Sequence, residues 1–213
     1  IVMTAGSGSR TVTVACNGHT ASASMISQGR RIEMNRRHKD DFYPTPVHAT
    51  AALLSRERFE QVIWEPAAGD GALAEVCEKA GYGVIASDLN DYGYCKSGVD
   101  FLMEKRPCHP CLYSIISNPP YKLAEQFISH AIELGTRKHA WLLRLSFLEG
   151  INRYWGLFAM NPPARVLVFS RRLTIWRGDE DITSTGTTAY AWFIWYKGHA
   201  DDPRIEWISD AEE

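Results

Sequence analysis

From residue 43 onward, short apolar runs alternate with amphipathic stretches, and this alternation limits the chain to few architectures. Residues 47–58 read as a helix. Residues 61–64 then read as a buried strand, 72–80 as a helix ended by Gly81, and 83–87 as a second strand. A short element ends at residues 99–101. An apolar run at 111–116 is followed by a helix over 122–134, closed by Gly135. Residues 139–145 form another strand, 149–160 a helix, and 165–169 and 188–196 two final strands. Strands separated by helices imply a mostly parallel sheet covered on both faces. The last two strands have no helix between them, so they are expected as an antiparallel hairpin at one edge. The expected fold class is α/β, a Rossmann-like, seven-stranded, mostly parallel sheet.

In open parallel sheets, ligands bind beyond the carboxyl ends of the strands. Here those ends carry Glu65, Asp88, Asp100 and Asn118. Glu65 opens the loop Glu65-Pro66-Ala67-Ala68-Gly69-Asp70-Gly71. Gly69 and Gly71 would let backbone approach a ligand closely. The helix start that follows suits a carboxylate, and Glu65 is free to meet a cationic amine. Asp88 lies 17 residues beyond Gly71, close to the spacing at which an acidic residue takes ribose hydroxyls. Asp100 and Phe101 could bind an adenine amino group and cover its ring. Each acidic residue has an ordinary alternative as a turn or helix cap.

The sequence Asn118-Pro119-Pro120-Tyr121 is the sharpest chemical signal. Two prolines fix φ and remove two backbone donors, and Asn118, preceding a proline, is held extended. The loop thus offers mainly acceptors beside a flat ring. That set suits an amino group on a planar ring. Upstream, Tyr43-Pro44-Thr45-Pro46 is an extended entry, with Thr45 expected as N-cap and Pro46 in the first helical turn.

Taken in order, Tyr43-Pro-Thr-Pro46, Glu65-Pro-Ala-Ala-Gly-Asp-Gly71 and Asn118-Pro-Pro-Tyr121 resemble S-adenosylmethionine-dependent N(6)-adenine methyltransferases. The likeness is greatest to the small phage- and prophage-borne DNA enzymes and covers about residues 38–197. It implies a class I methyltransferase fold that binds S-adenosylmethionine. It implies that Thr45 and Pro46 line the methionine end of the cofactor, and that Glu65, Pro66, Ala67, Gly69 and Gly71 surround its amine and carboxylate. Asp88 would hold the ribose, and Asp100 with Phe101 the adenine. Asn118 and the Pro119 carbonyl would accept from the target amine, with Pro120 shaping the loop and Tyr121 stacking on the base. The family's acidic residue in the first loop is often Asp; here it is Glu65. The tetrapeptide does not separate adenine in DNA, adenine in RNA and a protein glutamine amide, while Thr45-Pro46 favours a nucleic acid. The expected activity is methylation of adenine in DNA by base flipping, without a metal. A non-catalytic nucleic-acid-binding module is the alternative of a different class.

The uneven charge suits either a polyanionic partner or an ordinary solvated surface. The net charge is only −2, but residues 137–177 carry eight Lys/Arg against one Glu, and 179–213 carry nine Asp/Glu against two Lys/Arg. After the strand at 165–169, the resemblance implies a second base-stacking aromatic, for which Trp176 is the candidate, and Arg171 and Arg172 could meet phosphate; an exposed hairpin arm is the alternative for all three. Arg30, Arg31, Arg36, Arg37 and Lys39 form a basic run that suits a phosphate backbone or a solvated linker. Cys108-His109-Pro110-Cys111 with Cys95 is too sparse for a structural zinc site. Five Cys without a repeating framework fit reduced thiols. No apolar run reaches the ~18 residues of a membrane helix, and the N-terminus has no signal-peptide core. A cytoplasmic setting, in a bacterial or phage-infected cell, is expected. The chain does not begin with Met, and Met25 and Met34 are candidate starts. The expected organisation is a flexible extension over 1–37, a catalytic domain over 38–200 and an acidic tail over 201–213.

Overall fold

The computed structural model describes residues 43–105, 112–175 and 188–209 in full, and the backbone of 14–16 and 19–21. The chain divides into two units, Ile1–Lys39 and Asp40–Glu213. In the first, β1 (Val14–Cys16) and β2 (His19–Ala21) pair antiparallel. Apart from that hairpin, the extension expected over 1–37, with its basic run, lies outside the described residues.

The second unit is built on a seven-stranded sheet. Its strands are β3 (Val62–Glu65), β4 (Gly83–Ala86), β5 (Tyr113–Ser117), β6 (Lys138–Arg144), β7 (Arg165–Phe169), β8 (Tyr190–Tyr196) and β9 (Arg204–Ile208). They lie in the order β4-β3-β5-β6-β8-β7-β9. Only β8 runs against the others, pairing antiparallel with both β6 and β7. The β7–β8 hairpin therefore forms near one end of the sheet, as expected. It does so by inserting β8 inward, and β9 then adds parallel to the outside of β7.

Two details of the sheet differ from what the sequence leads one to expect. The element at 99–101 is not a strand: Asp100 caps a single 3-10 turn, Phe101–Met103. The seventh strand is instead β9, inside the stretch read as an acidic tail. Its Arg-Ile-Glu-Trp-Ile alternation has the period of a strand, masked by the acidic residues around it.

Both sheet faces are buried, which explains why the strands read as continuous apolar runs. On one face Ile63, Ile116, Leu142 and Leu167 pack against α1 (Val47–Arg56) and α2 (Ala72–Lys79). On the other, Trp64, Ile115, Trp141 and Val166 pack against α3 (Ala124–Glu133) and the segment after β6. That segment, expected as one helix, is a short α4 (Ile151–Arg153) that widens into a π-helical stretch, Tyr154–Phe158.

The amino ends of the parallel strands are closed by an ion network. Glu57, only 5% exposed, bonds to Lys138, Arg165 and the Tyr196 hydroxyl. Arg165 also grips Glu206 with two parallel bonds of 2.9 and 2.6 Å. Burying Glu57 is tolerable because several donors share its charge. The carboxyl ends, by contrast, stay open.

Candidate active site

The ends of β3 and β4 are tied to one another there. Glu65 is the last residue of β3, and the loop that follows is pinned to the end of β4. Ala68 donates its N–H to the Ser87 carbonyl at 3.1 Å, and Gly69 donates to Asp88 Oδ2 at 3.0 Å. The other oxygen of Asp88 accepts from the Asn90 N–H at 2.8 Å. Asp88 thus fixes the loop with one oxygen and its own turn with the other, and a ligand would have to share their remaining lone pairs.

Glu65 is the electrostatic anomaly. It is 2% exposed and its Oε2 has no hydrogen-bond partner. Burial pushes its carboxyl well above the usual range, a backbone hydrogen bond from Ala74 opposes that, and Asp70 and Asp88 add to the rise. A buried carboxyl in this state is costly unless a ligand supplies a cation.

Asn118 follows β5. Its side-chain Nδ2 donates to the Tyr43 carbonyl at 3.1 Å, which fixes the direction of the amide. Its Oδ1 is buried and has no partner. The Pro120 carbonyl is taken by the Leu123 N–H at 2.8 Å, starting the turn Tyr121–Leu123 that leads into α3. The Tyr121 ring sits between those of Tyr43 and Tyr190, with centroids 6.1 and 5.9 Å away. The Arg144 guanidinium lies 4.9 Å from its centroid.

These loops enclose one cavity of about 810 Å3, open solvent at its mouth included. Glu65, Pro66, Ala67, Gly69 and Asp88 line one part of it, Asp100 and Phe101 another, and Thr45 with Asn118, Pro119, Pro120 and Tyr121 the rest.

Several expected roles are modified. Asp100 Oδ1 accepts from the Leu102 N–H at 3.0 Å, so it serves as a cap as well as a wall. Phe101 is 1% exposed and packs edge-on against Trp64 at 5.0 Å, so its ring belongs to the core. Pro46, not Thr45, occupies the N-cap position of α1, and the Ala49 N–H bonds to its carbonyl at 2.9 Å. Thr45 is buried in the cavity wall instead. Neither Pro46 nor Gly71 lines the cavity. Gly71 starts α2 with φ +87°, and a Cβ there would meet the Tyr94 ring at 2.4 Å.

Arg171 and Arg172 are exposed beyond the carboxyl end of β7, outside the cavity wall. Trp176, Cys108, His109 and Cys111 lie outside the described residues. Among the described residues, no three His, Cys, Asp or Glu side chains are grouped to hold a metal ion, and no helix is long and apolar enough to cross a membrane. The sequence reading assigned no role to the Tyr43 carbonyl, nor to Asn90, Tyr92 or Phe127, which also line the cavity. Tyr43 stood within a quoted motif, but nothing in a sequence says which carbonyl a distant amide will reach.

No protein-family model matches the chain, and no curated protein matches it. Solved structures do. The methyltransferase subunit of a type I restriction-modification system from Streptococcus thermophilus superposes with a TM-score of 0.54 at 14% identity, over 78% of this chain. This chain spans 47% of that subunit. A putative RNA methyltransferase from Pyrococcus horikoshii gives 0.52 at 16% identity, over 73% of this chain and 86% of its own. The likeness is one of fold: the sheet and its helices form a Rossmann-like class I methyltransferase architecture.

Proposed function

We propose that the chain is an S-adenosylmethionine-dependent methyltransferase acting on the exocyclic amino group of adenine in DNA. The observation that carries the proposal is a pair of orphaned acceptors in one cavity, Glu65 Oε2 and Asn118 Oδ1. The first calls for a cation, the second for an N–H donor.

S-adenosylmethionine would supply an activated methyl group together with a cationic amine, a carboxylate, a ribose and an adenine. Glu65 would take the amine, which gives its buried carboxyl the charge partner it lacks. The Gly69 loop and the start of α2 would face the carboxylate. Asp88 would accept from ribose hydroxyls on the lone pairs its loop bonds leave, and Asp100 would meet the adenine. Thr45 would border the methionine end.

The Asn118 loop would receive the target. An aromatic amine is a weak nucleophile because its lone pair is delocalised into the ring. Asn118 Oδ1 and the Pro119 carbonyl would accept its two hydrogens and draw them from the ring plane. That frees the lone pair and stabilises positive charge on nitrogen as the new bond forms. The Tyr43 carbonyl keeps Asn118 Oδ1 aimed without reorganisation. Tyr121 would offer a ring to the base, and such stacking typically contributes ~1–3 kcal/mol. A base within a duplex cannot reach this depth, so it would flip out or arrive single-stranded.

Thr45-Pro46 favours a nucleic acid over a protein, and the overall resemblance to small DNA adenine methyltransferases supports DNA as the polymer. The test incubates the protein and labelled S-adenosylmethionine with duplex DNA, structured RNA and a glutamine-bearing protein. Label on DNA, recovered as N(6)-methyladenine, is the expected result. Label on RNA or protein alone rejects the DNA assignment, and no cofactor binding by calorimetry rejects the enzyme.

A further inference from the structure

Strand β6 ends on Arg144, and the pleat sets what that side chain meets. Residues two apart share a face of a strand, so Arg144 continues the row of Ala140 and Leu142, both fully buried under α1 and α2. Arg144 is the member of that row that leaves the core, and it is exposed at the carboxyl end of the sheet. Its cross-strand partner in β8 is Tyr190. Its guanidinium carbon lies over the Tyr121 ring, 4.9 Å from the centroid. Among the described residues, no carboxylate pairs with it. An arginine at the mouth of the cavity thus rests on a ring rather than on an anion.

That ring is the platform proposed above for the target base, and the inference rests on that reading. Tyr43, Tyr190 and the guanidinium all flank Tyr121. Two of them are held in place. Tyr190 is buried in the core, and Tyr43 supplies the carbonyl that fixes Asn118. The guanidinium is tethered only by a flexible side chain with solvent beside it. A cation–π contact at an exposed site is weaker than the stacking of a base on an aromatic ring, so a base can take its place.

We infer that Arg144 holds the base's place on Tyr121 in the free protein and, when a base arrives, moves to a backbone phosphate of the same DNA strand. The displaced guanidinium stays charged at any working pH and has no carboxylate to turn to, whereas a phosphate accepts its fork through two parallel bonds. The exchange ties capture of the base to the presence of a phosphate. A planar amine without one nearby, such as a glutamine side chain or a free nucleoside, has to dislodge the arginine with nothing to receive it. Arg144 is therefore a substrate-binding residue that selects a nucleotide polymer over other planar amines.

The test reads binding of the full chain to two single-stranded probes by fluorescence anisotropy over a range of salt. One probe is an oligodeoxyadenylate; the other has the same length with tetrahydrofuran in place of every base. S-adenosylmethionine is left out, so the result does not depend on methyl transfer. On oligodeoxyadenylate, Arg144→Gln should weaken binding about tenfold and flatten the slope of log affinity against log salt by about 0.7, the share of one phosphate contact on a single strand. Arg144→Lys should keep the wild-type slope. Both variants should keep the wild-type melting curve, since Arg144 is exposed. On the abasic probe, which has no base to lift the arginine from the ring, wild type and Arg144→Gln should coincide. Equal losses on both probes would mean a phosphate contact independent of the ring, and an unchanged slope on oligodeoxyadenylate would mean that Arg144 only packs on Tyr121. Either result overturns the exchange, as does a wild type that binds neither probe. A wild type that shows the exchange but transfers no methyl group to DNA upholds this inference and rejects the proposed reaction; one that methylates DNA without the difference between probes does the reverse.

Discussion

The Asn118 side chain donates to the backbone carbonyl of Tyr43, 75 residues earlier, at 3.1 Å. This bond joins the extended entry before α1 to the loop after β5. It also decides which end of the amide faces the cavity, because only the nitrogen can approach a carbonyl.

Asn118→Ala should lower the rate of methyl transfer on the order of 10^2- to 10^3-fold, the usual effect of removing one preorganised hydrogen-bonding group from a reacting centre. Affinity for S-adenosylmethionine should be unchanged, because Glu65 and the Gly69 loop do not depend on Asn118. Single-turnover transfer and cofactor calorimetry measure the two separately. If both collapse together, Asn118 is holding the loop rather than polarising an amine.

Glu65 gives a pH dependence with a definite sign. Burial raises its pKa on folding, so the folded chain holds that proton more tightly than the unfolded one. The associated stability is full below the unfolded value, near 4.5, and is lost as pH rises through the higher folded value. The ligand-free protein should melt at lower temperature as pH rises through that window. Glu65→Gln should flatten this part of the curve and raise the melting temperature near neutral pH. The same substitution should abolish cofactor binding. Melting curves that coincide for the two proteins at every pH would mean that the carboxyl is solvated.

Gly71→Ala should destabilise the protein for two separable reasons. The left-handed φ of +87° costs an alanine about 1–2 kcal/mol, and the added methyl meets the Tyr94 ring. Combining it with Tyr94→Ala should recover the second part and leave the first. A double-mutant cycle by urea denaturation reads the coupling; additive effects would show that the ring moves aside freely.

At the opposite end of the sheet, Glu57→Ala leaves Lys138 without its carboxylate, beside a Tyr196 hydroxyl that can no longer donate to one, while Arg165 keeps only Glu206. Removing one partner from a buried ionic network typically costs 3–5 kcal/mol, roughly that loss is expected in chemical denaturation, and cofactor affinity should be preserved. A loss under about 1 kcal/mol would place the network among solvent-screened surface pairs.

How much of this was legible in the sequence follows from what each residue depends on. Glu65, Asp88 and Asn118 could be placed because each closes an apolar run, and a parallel sheet gathers such ends at one edge. Gly71 was singled out for its conformational freedom, but whether that freedom serves a ligand or the Tyr94 ring depends on a contact 23 residues away, which local pattern does not encode. Phe101 next to Asp100 resembled a lid, yet its ring is drawn into the core by Trp64, Phe127 and Trp141, all contributed by other elements. Strand β9 was hidden because its alternation is five residues long and lies in acidic surroundings. Residue types and strand ends are local facts; which side of a ring faces the cavity is a tertiary one.

The insertion of β8 between β6 and β7 sets an order of assembly. Strands β3, β4 and β5, which carry the cavity, precede every residue of β8 in the chain, so during synthesis they can pair while it is still unmade. The free edge of β6 meanwhile presents Ala140, Trp141, Leu142 and Leu143, all buried in the finished protein. A ribosome-bound chain that has not yet reached Tyr190–Tyr196 thus has its binding loops but an open, sticky flank, and is exposed to aggregation there. Closure of this sheet waits on one strand, made after both of its neighbours, that seals two open edges at once before β9 adds to the outside.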